Sequence, residues 1–395
     1  MKIARIATVP FFLQNHLREQ IVATIAAGHE VHLIASAGPE VALLQAIPGA
    51  RFHCIDIPRK ISLLRDLRAL WQLFRLFRHE RYDIVHSTTP KAGMLSALAA
   101  LLARIPLRLH TFTGQPWVEM RGLRRFLAKS GDRVTAALDT QCYADSYSQR
   151  DFILAEQIGR PEKISVLASG SLAGVNLQRF DPARWAPRRN EIRSALGIAP
   201  ADTVITFIGR LTPDKGLEEL VQAFLALRGE GRQCVLLLVG PRELEWEGLS
   251  AATRAAIASN PAIINTGYSA EPERYLAASD IFCLPSYREG FGNVVIEAAA
   301  MGVVAVGTDI VGLRDAIVDG QTGVLVPPKR TLALVQALAE LVADADRRNM
   351  LGRQARARAV AEFDAQKINA AVVMEYQRLH AASTGRGQRA ASSGK

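Results

Sequence analysis

Short apolar runs that read as buried strands alternate with helical patterns along the whole chain, and the alternation occurs twice. In the first half the runs are Lys2–Val9, Val31–Ala35, Ile84–Ser87 and Arg108–Thr111. In the second half they are Val204–Ile208, Cys234–Val239, Ile263–Thr266, Ile281–Pro285, Val303–Gly307 and Gly323–Val326. This is the βα rhythm of parallel sheets covered by helices. With 395 residues there is enough chain for two full cores. Gly170–Pro182, with two glycines and a proline-rich end, reads as the connection between them. The expected fold class is therefore α/β, with two Rossmann-like, doubly wound domains facing across a cleft. The expected boundaries are residues 1–175, 176–364, a last helix within 365–382, and a small, polar, unstructured tail at 383–395. Leu332–Val360 reads as one long helical region after Pro327-Pro328.

Composition removes several classes. Apolar content of 49% and charged content of 22% suit a globular protein. No apolar run reaches bilayer length, and the first residues lack a signal peptide's apolar core and cleavage site, so cytoplasmic residence is the expectation. Cys54, Cys142, Cys234 and Cys283 are far apart and read as buried free thiols. Charge is uneven: residues 1–189 carry 26 Lys+Arg against 15 Asp+Glu, which more than accounts for the net +10. Arg59, Lys60, Arg65, Arg68, Arg75, Arg78 and Arg81 interleave with Leu63, Leu64, Leu67, Leu70, Trp71, Phe74 and Phe77 at helical spacing. Such a helix suits an anionic membrane surface, or is a core-facing helix with a basic solvent side. Arg121, Arg124, Arg125 and Lys129 form a second cluster that favours the membrane or an anionic lipid. Nucleic acid is not expected, because no recognition motif or aromatic–basic interleaving is present.

Two strings carry chemistry. Glu289-Gly-Phe-Gly-Asn-Val-Val-Ile-Glu297 follows an apolar strand and opens an apolar helix. Gly290 and Gly292 let backbone approach a ligand, and the helix starting at Asn293 offers amides and a positive dipole end to an anion. Glu289 before the helix and Glu297 about one turn inside it can face the same pocket. An anion cradle with two acids suits a ligand that is part phosphate and part hydroxyl. Phe207-Ile-Gly209-Arg210-Leu-Thr-Pro-Asp-Lys215-Gly216 also follows a strand, where Arg210 and Lys215 can hold phosphate oxygens. Gly312–Val326 is glycine-punctuated and assigned to fold rather than chemistry. Asp344-Ala-Asp346 has a metal-binding spelling but sits in a polar helical stretch, and reads as a solvated face.

Together the strings resemble the glutamate–seven–glutamate and glycine-arginine…lysine-glycine motifs of retaining GT-B glycosyltransferases of family 4. That family includes sucrose synthase-like and phosphatidylinositol mannosyltransferase-like enzymes. The resemblance implies an acceptor-binding N-terminal domain, a nucleotide-sugar-binding C-terminal domain, and a last helix that packs back on the first domain. It implies that Arg210 and Lys215 stabilise the leaving diphosphate, with amides at Asn293, Val294 and Val295. Glu289 would hold donor-sugar hydroxyls and Glu297 the ribose, while Gly209, Gly290, Phe291 and Gly292 shape the donor site. No metal and no other cofactor is expected; the donor, a UDP-sugar, is a substrate.

The first half departs from the family. Its opening loop carries Phe11 and Phe12 where glycines are usual, Asn176 stands where an acid is usual, and Thr113 where a histidine is usual. His16, Thr113 and Lys91 are the acceptor-side candidates, and His110 reads as a structural strand-end residue. His86-Ser-Thr-Thr-Pro-Lys91-Ala-Gly93 and Gly114–Glu119 are similar to strings in members that build bacterial surface polysaccharides on a polyprenyl-diphosphate lipid. The expectation is a membrane-associated retaining enzyme, peripheral on the inner face of the cell membrane. It would pass a sugar, of N-acetylhexosamine type, from a UDP-sugar to a lipid-linked acceptor. A sugar-nucleotide epimerase of the same fold and a non-catalytic sugar- or polyanion-binding protein are the alternatives.

Overall fold

A computed structural model describes residues 1–58 and 62–392. Arg59 and Lys60 of the basic cluster therefore lie outside the described residues. The chain divides into two compact units, Met1–Ala173 with Ala365–Lys395, and Gly174–Asp364.

The first unit holds a seven-stranded sheet of β1 (Lys2–Ile6), β2 (Glu30–Ala35), β3 (Ala50–Cys54), β4 (Ile84–Thr88), β5 (Leu107–Phe112), β6 (Gln141–Ala144) and β7 (Ile164–Val166). All neighbours pair in parallel, in the order β3-β2-β1-β4-β5-β6-β7. The strands named from sequence are the central ones, which are buried on both faces and so read as continuous apolar runs. The three others, β3, β6 and β7, are short and mix polar residues into their run. β3 is an edge strand, which leaves Cys54 exposed, contrary to its expected burial; the other three cysteines are buried, and all four are free.

The last helix, Ala365–Ser392, belongs to this unit. Val372 and Tyr376 pack with Ile3, Ile84, Leu109 and Tyr143. The Tyr376 hydroxyl meets buried Arg5 at 2.5 Å and His86 Nδ1 at 2.6 Å, and Tyr143 donates to Glu375 at 2.8 Å. The segment expected to be unstructured from 383 is helical to Ser392, since extending an established helix by one residue adds a hydrogen bond for little cost. The rest of that expected tail, 393–395, lies outside the described residues.

The second unit holds a six-stranded parallel sheet: β8 (Thr203–Ile208), β9 (Cys234–Val239), β10 (Ile263–Gly267), β11 (Ile281–Leu284), β12 (Val304–Thr308) and β13 (Gly323–Val326). The order is β10-β9-β8-β11-β12-β13. A large apolar core, with Phe207, Phe224, Phe282, Phe291 and Phe363 among its largest members, is joined in this unit by a smaller cluster of Ile198, Val204, Val235, Leu237 and Val239. The long helical region is made of two helices, Thr331–Ala343 and Ala345–Glu362. The break is Asp344, extended, whose carboxylate accepts from the Arg347 amide at 2.8 Å. Its metal-like spelling is thus a helix cap. Asn176 likewise has a local role: its Oδ1 accepts from the amides of Gln178 and Arg179, both at 3.0 Å. Among the described residues no helix is long and apolar enough to cross a membrane.

In each sheet the winding direction reverses once, between β1 and β4 in the first and between β8 and β11 in the second. Ligands of open α/β sheets bind beyond the carboxyl ends of strands at such a reversal.

Candidate active site

Both chemical strings hang from the strands that flank the reversal in the second sheet. Gly209–Gly216 follows β8, and Pro285–Asn293 follows β11. The fold therefore brings together residues that are 74 positions apart. Lys215 Nζ lies 2.6 Å from Glu289 Oε1, with both side chains mostly shielded from solvent. Ser286 Oγ donates to the same carboxylate oxygen at 2.8 Å. Arg210 is more open and faces two acids, Glu243 at 3.3 Å and Asp214 at 3.7 Å. Burial pushes the Asp214 carboxyl up. The Thr212 hydroxyl and the Lys215, Arg210 and Arg288 charges outweigh it, so its pKa lies below the usual carboxylate value. The loops form a charged network in which three cations, Arg210, Lys215 and Arg288, face three acids, Asp214, Glu243 and Glu289, and an anionic ligand can re-pair the cations.

Backbone contacts fix this arrangement. Gly216 sits at φ +70°, and a Cβ there would fall 2.0 Å from the Pro285 carbonyl oxygen, so the β8 loop touches the β11 loop main chain to main chain. The Tyr287 amide donates to the Asp214 carbonyl at 2.9 Å, adding a second tie. The Tyr287 hydroxyl bonds Glu219 at 2.6 Å. Gly312, assigned above to fold, presses on the site from the far side: a Cβ there would meet the Gly290 carbonyl oxygen at 2.6 Å and that of Glu289 at 3.0 Å.

The helix Asn293–Ala300 starts at Gly292, which is left-handed and offers no side-chain cap. The Val295 amide is spent on the Gly292 carbonyl at 2.8 Å. Of the three amides expected to face a ligand, Asn293 and Val294 therefore stand nearer the open end of the dipole. Phe291 is buried against Phe363 and belongs to the core rather than to a ligand surface. Val294 is half-buried and packs on the same core. Glu297 is half-buried on the helix; burial pushes its carboxyl up to about 7, Arg179 pulls it down and Glu273 pushes it further up. Arg179 and Glu273 pair at 2.8 Å. Neither partner was visible from sequence, since they lie 94 residues apart and in no shared motif.

The acceptor-side candidates lie in the first unit, on segments that follow β1, β4 and β5. His16 is exposed and ends, rather than opens, the helix Pro10–His16, with its ring against Phe12. Thr113 is half-buried in the loop after β5. Lys91 starts the helix Pro90–Leu102 and pairs with Asp66 at 2.7 Å. His110 is buried, bonded to Ser87 at 2.8 Å and packed on Gly93; burial lowers its pKa to about 3, as befits a structural residue. One feature here gave no sequence signal. Thr89 adopts φ +72°, rare for a β-branched residue, and its hydroxyl bonds the Thr8 hydroxyl at 2.8 Å and amide at 3.1 Å. The pair ties β1's loop to β4's loop across the reversal in the first sheet.

A trio of possible metal ligands, His32, His53 and Glu80, lies in the first unit. Its atoms are already engaged: His32 with Tyr82 at 2.8 Å and His53 at 2.9 Å, and Glu80 with the Lys2 ammonium.

Comparison with known proteins identifies the family. Residues 188–358 match the family described as glycosyl transferases group 1, and residues 13–170 match the glycosyl transferase 4-like domain. A capsular polysaccharide biosynthesis glycosyltransferase, CapM, of Staphylococcus aureus is 29% identical over 89% of this chain and 90% of its own. The UDP-Gal:alpha-D-GlcNAc-diphosphoundecaprenol alpha-1,3-galactosyltransferase of Escherichia coli is 27% identical over 74% of this chain and 75% of its own. Anabaena HepE, solved with UDP and glucose, superposes with a TM-score of 0.79 at 20% identity, over 96% of this chain and all of that one. Two Rossmann-like parallel sheets in one chain, with these likenesses, are the GT-B fold. The chain belongs to the group 1 glycosyltransferases.

Proposed function

We propose that the protein transfers a sugar, of N-acetylhexosamine type, from a UDP-sugar to a polyprenyl-diphosphate-linked or other lipid-linked saccharide during surface polysaccharide synthesis. The transfer proceeds with retention, without a metal or other cofactor, and at the inner face of the cell membrane. The observation that carries the reading is the Lys215–Glu289 contact at 2.6 Å beside the uncapped start of the helix Asn293–Ala300. A cation, a carboxylate and a helix N-terminus close together at the sheet reversal support this reading. The relatives support the rest: one is named for capsule synthesis, and another for a UDP-sugar donor and a lipid-diphosphate acceptor.

Donor binding brings a diphosphate to Lys215 and Arg210, which re-pair from Glu289, Asp214 and Glu243 to phosphate oxygens. Glu289, released from Lys215, accepts hydrogen bonds from the sugar hydroxyls. Glu297 does the same for the ribose. The bond from the anomeric carbon to the diphosphate oxygen then breaks, its electron pair leaving with the diphosphate. The acceptor hydroxyl oxygen bonds the same carbon from the same face and passes its proton to the departing phosphate. No protein nucleophile takes part. Fixed charges aimed at the leaving oxygens contribute about 3–4 kcal/mol per well-placed donor.

The test is thermal stabilisation by a panel of nucleoside diphosphates and UDP-sugars, followed by NMR of the product's anomeric proton. One UDP-sugar should raise the melting temperature of the native protein but not of Lys215→Ala. The product should keep the donor's anomeric configuration. Stabilisation by sugars without nucleotides, and no transfer, would favour a binding-only protein.

A further inference from the structure

The helices Leu63–Glu80, Pro90–Leu102 and Gly122–Leu138 lie side by side on one face of the seven-stranded sheet, the first and third each packed against the second. In parallel βαβ units helices run against the strands, so all three begin at the sheet's carboxyl edge. The ion pair between Asp66 and Lys91 joins the beginnings of the first two.

The first helix turns Ala69, Leu73 and Phe77 inward. Its outward stripe should then be polar, but it is not. Leu64 is 84% exposed, Leu67 62% and Trp71 55%, and they share that stripe with Arg68, Arg75 and Arg78. Arg75 stacks on the Trp71 ring at 4.7 Å. The third helix repeats the pattern at its beginning, where Leu123 is 71% and Phe126 61% exposed, beside Leu127, Arg121 and Arg124. Among the described residues Arg68, Arg75, Arg78, Arg121 and Arg124 form no ion pair.

Large apolar side chains in water beside unpaired arginines, toward the starts of two helices that flank a third, do not fit a solvated face. They do fit the boundary of an anionic bilayer. Apolar side chains enter the acyl region there, and guanidiniums meet lipid phosphates. We propose that this two-helix face docks the protein on an anionic membrane, with Leu64, Leu67 and Trp71 on one helix and Leu123, Phe126 and Leu127 on the other as anchors. The inference rests on the lipid-linked acceptor proposed above and adds where the membrane sits. The anchors lie at the same sheet edge as His16, Lys91 and Thr113, so a lipid-borne acceptor reaches that edge without leaving the bilayer surface.

Sedimentation with phosphatidylglycerol–phosphatidylcholine vesicles tests this, with UDP stabilisation measured on the same preparations. Native protein should bind anionic vesicles, bind neutral ones weakly, and lose binding as salt rises. Trp71 is the exposed one of the four tryptophans, so emission should shift to the blue on binding. The triple variant Leu64→Ser, Leu67→Ser, Trp71→Ser should bind roughly tenfold or more weaker. Leu123→Ser with Phe126→Ser should weaken binding similarly, and both variants should keep their UDP response. Unchanged vesicle binding in both variants, or no binding by native protein that still responds to UDP, overturns the docking face and leaves the transferase reading intact. A change from dimer to monomer in the variants by analytical ultracentrifugation would instead assign the face to a second copy of the chain. Vesicle binding without any UDP response would sink the transferase reading alone.

Discussion

Lys215 and Glu289 pair with each other, and in the proposed mechanism each gives up the other for a ligand group. Removing the lysine leaves Glu289 with only Ser286 as a partner among the contacts described and takes away the charge that the proposed mechanism sets against the leaving diphosphate. Lys215→Ala should therefore lower kcat/KM by about 10²–10³. Arg210, more open and shared between two acids, should cost less on substitution, which steady-state kinetics of the two variants will rank. Asp145 makes a separate case. It is buried with Oδ1 unpartnered, and burial pushes its carboxyl up to about 8. Between its unfolded value near 4 and about 8, the folded state holds a proton that the unfolded state has lost, so stability falls as pH rises through that window. Asp145→Asn should thus gain on the native protein as pH goes from 4 to 8, by a few kcal/mol at the upper end. Melting curves at pH 5 and pH 8.5 give the comparison; equal gaps at both pH values would refute it.

At the scale of elements, the site is a meeting of loops whose main chains touch. Gly312 illustrates how little room is left, because any Cβ there must displace the carbonyl of Gly290 or Glu289. Gly312→Ala should cost activity more than its modest loss of melting temperature suggests, because the displaced atoms adjoin Glu289. Parallel kinetics and thermal melts separate the two effects. The donor strings were legible in sequence because each is contiguous and joins a strand to a turn or helix. The central strands were legible because burial on both faces makes them uniformly apolar. What joins distant segments was not legible. Arg179 and Glu273 reach Glu297 from separate elements, Gly312 looked like one turn glycine among several, and Thr89's left-handed backbone has no residue-type signature. Local order also misled at Leu332–Val360, where an unbroken helical composition hid a cap at Asp344.

At the scale of the whole molecule, the second unit is one continuous stretch, whereas the first is assembled from both ends of the chain. Tyr376 sets its hydroxyl against both Arg5 and His86, which also contact each other, and residues 1–173 alone leave that side of this buried polar cluster uncovered. A fragment of residues 174–364 should then fold alone and melt cooperatively. A fragment of residues 1–173 should not, unless residues 365–392 are supplied. Circular dichroism and gel filtration of the separate fragments will decide; a cooperative melt from residues 1–173 alone would contradict this account. The same arrangement sets an order of events during synthesis. The half translated first emerges with its βα layers incomplete and must wait, while the half translated later can close as soon as it clears the ribosome. The older part of the nascent chain is thus the younger part of the folded protein, and it is the part that needs shelter from chaperones longest.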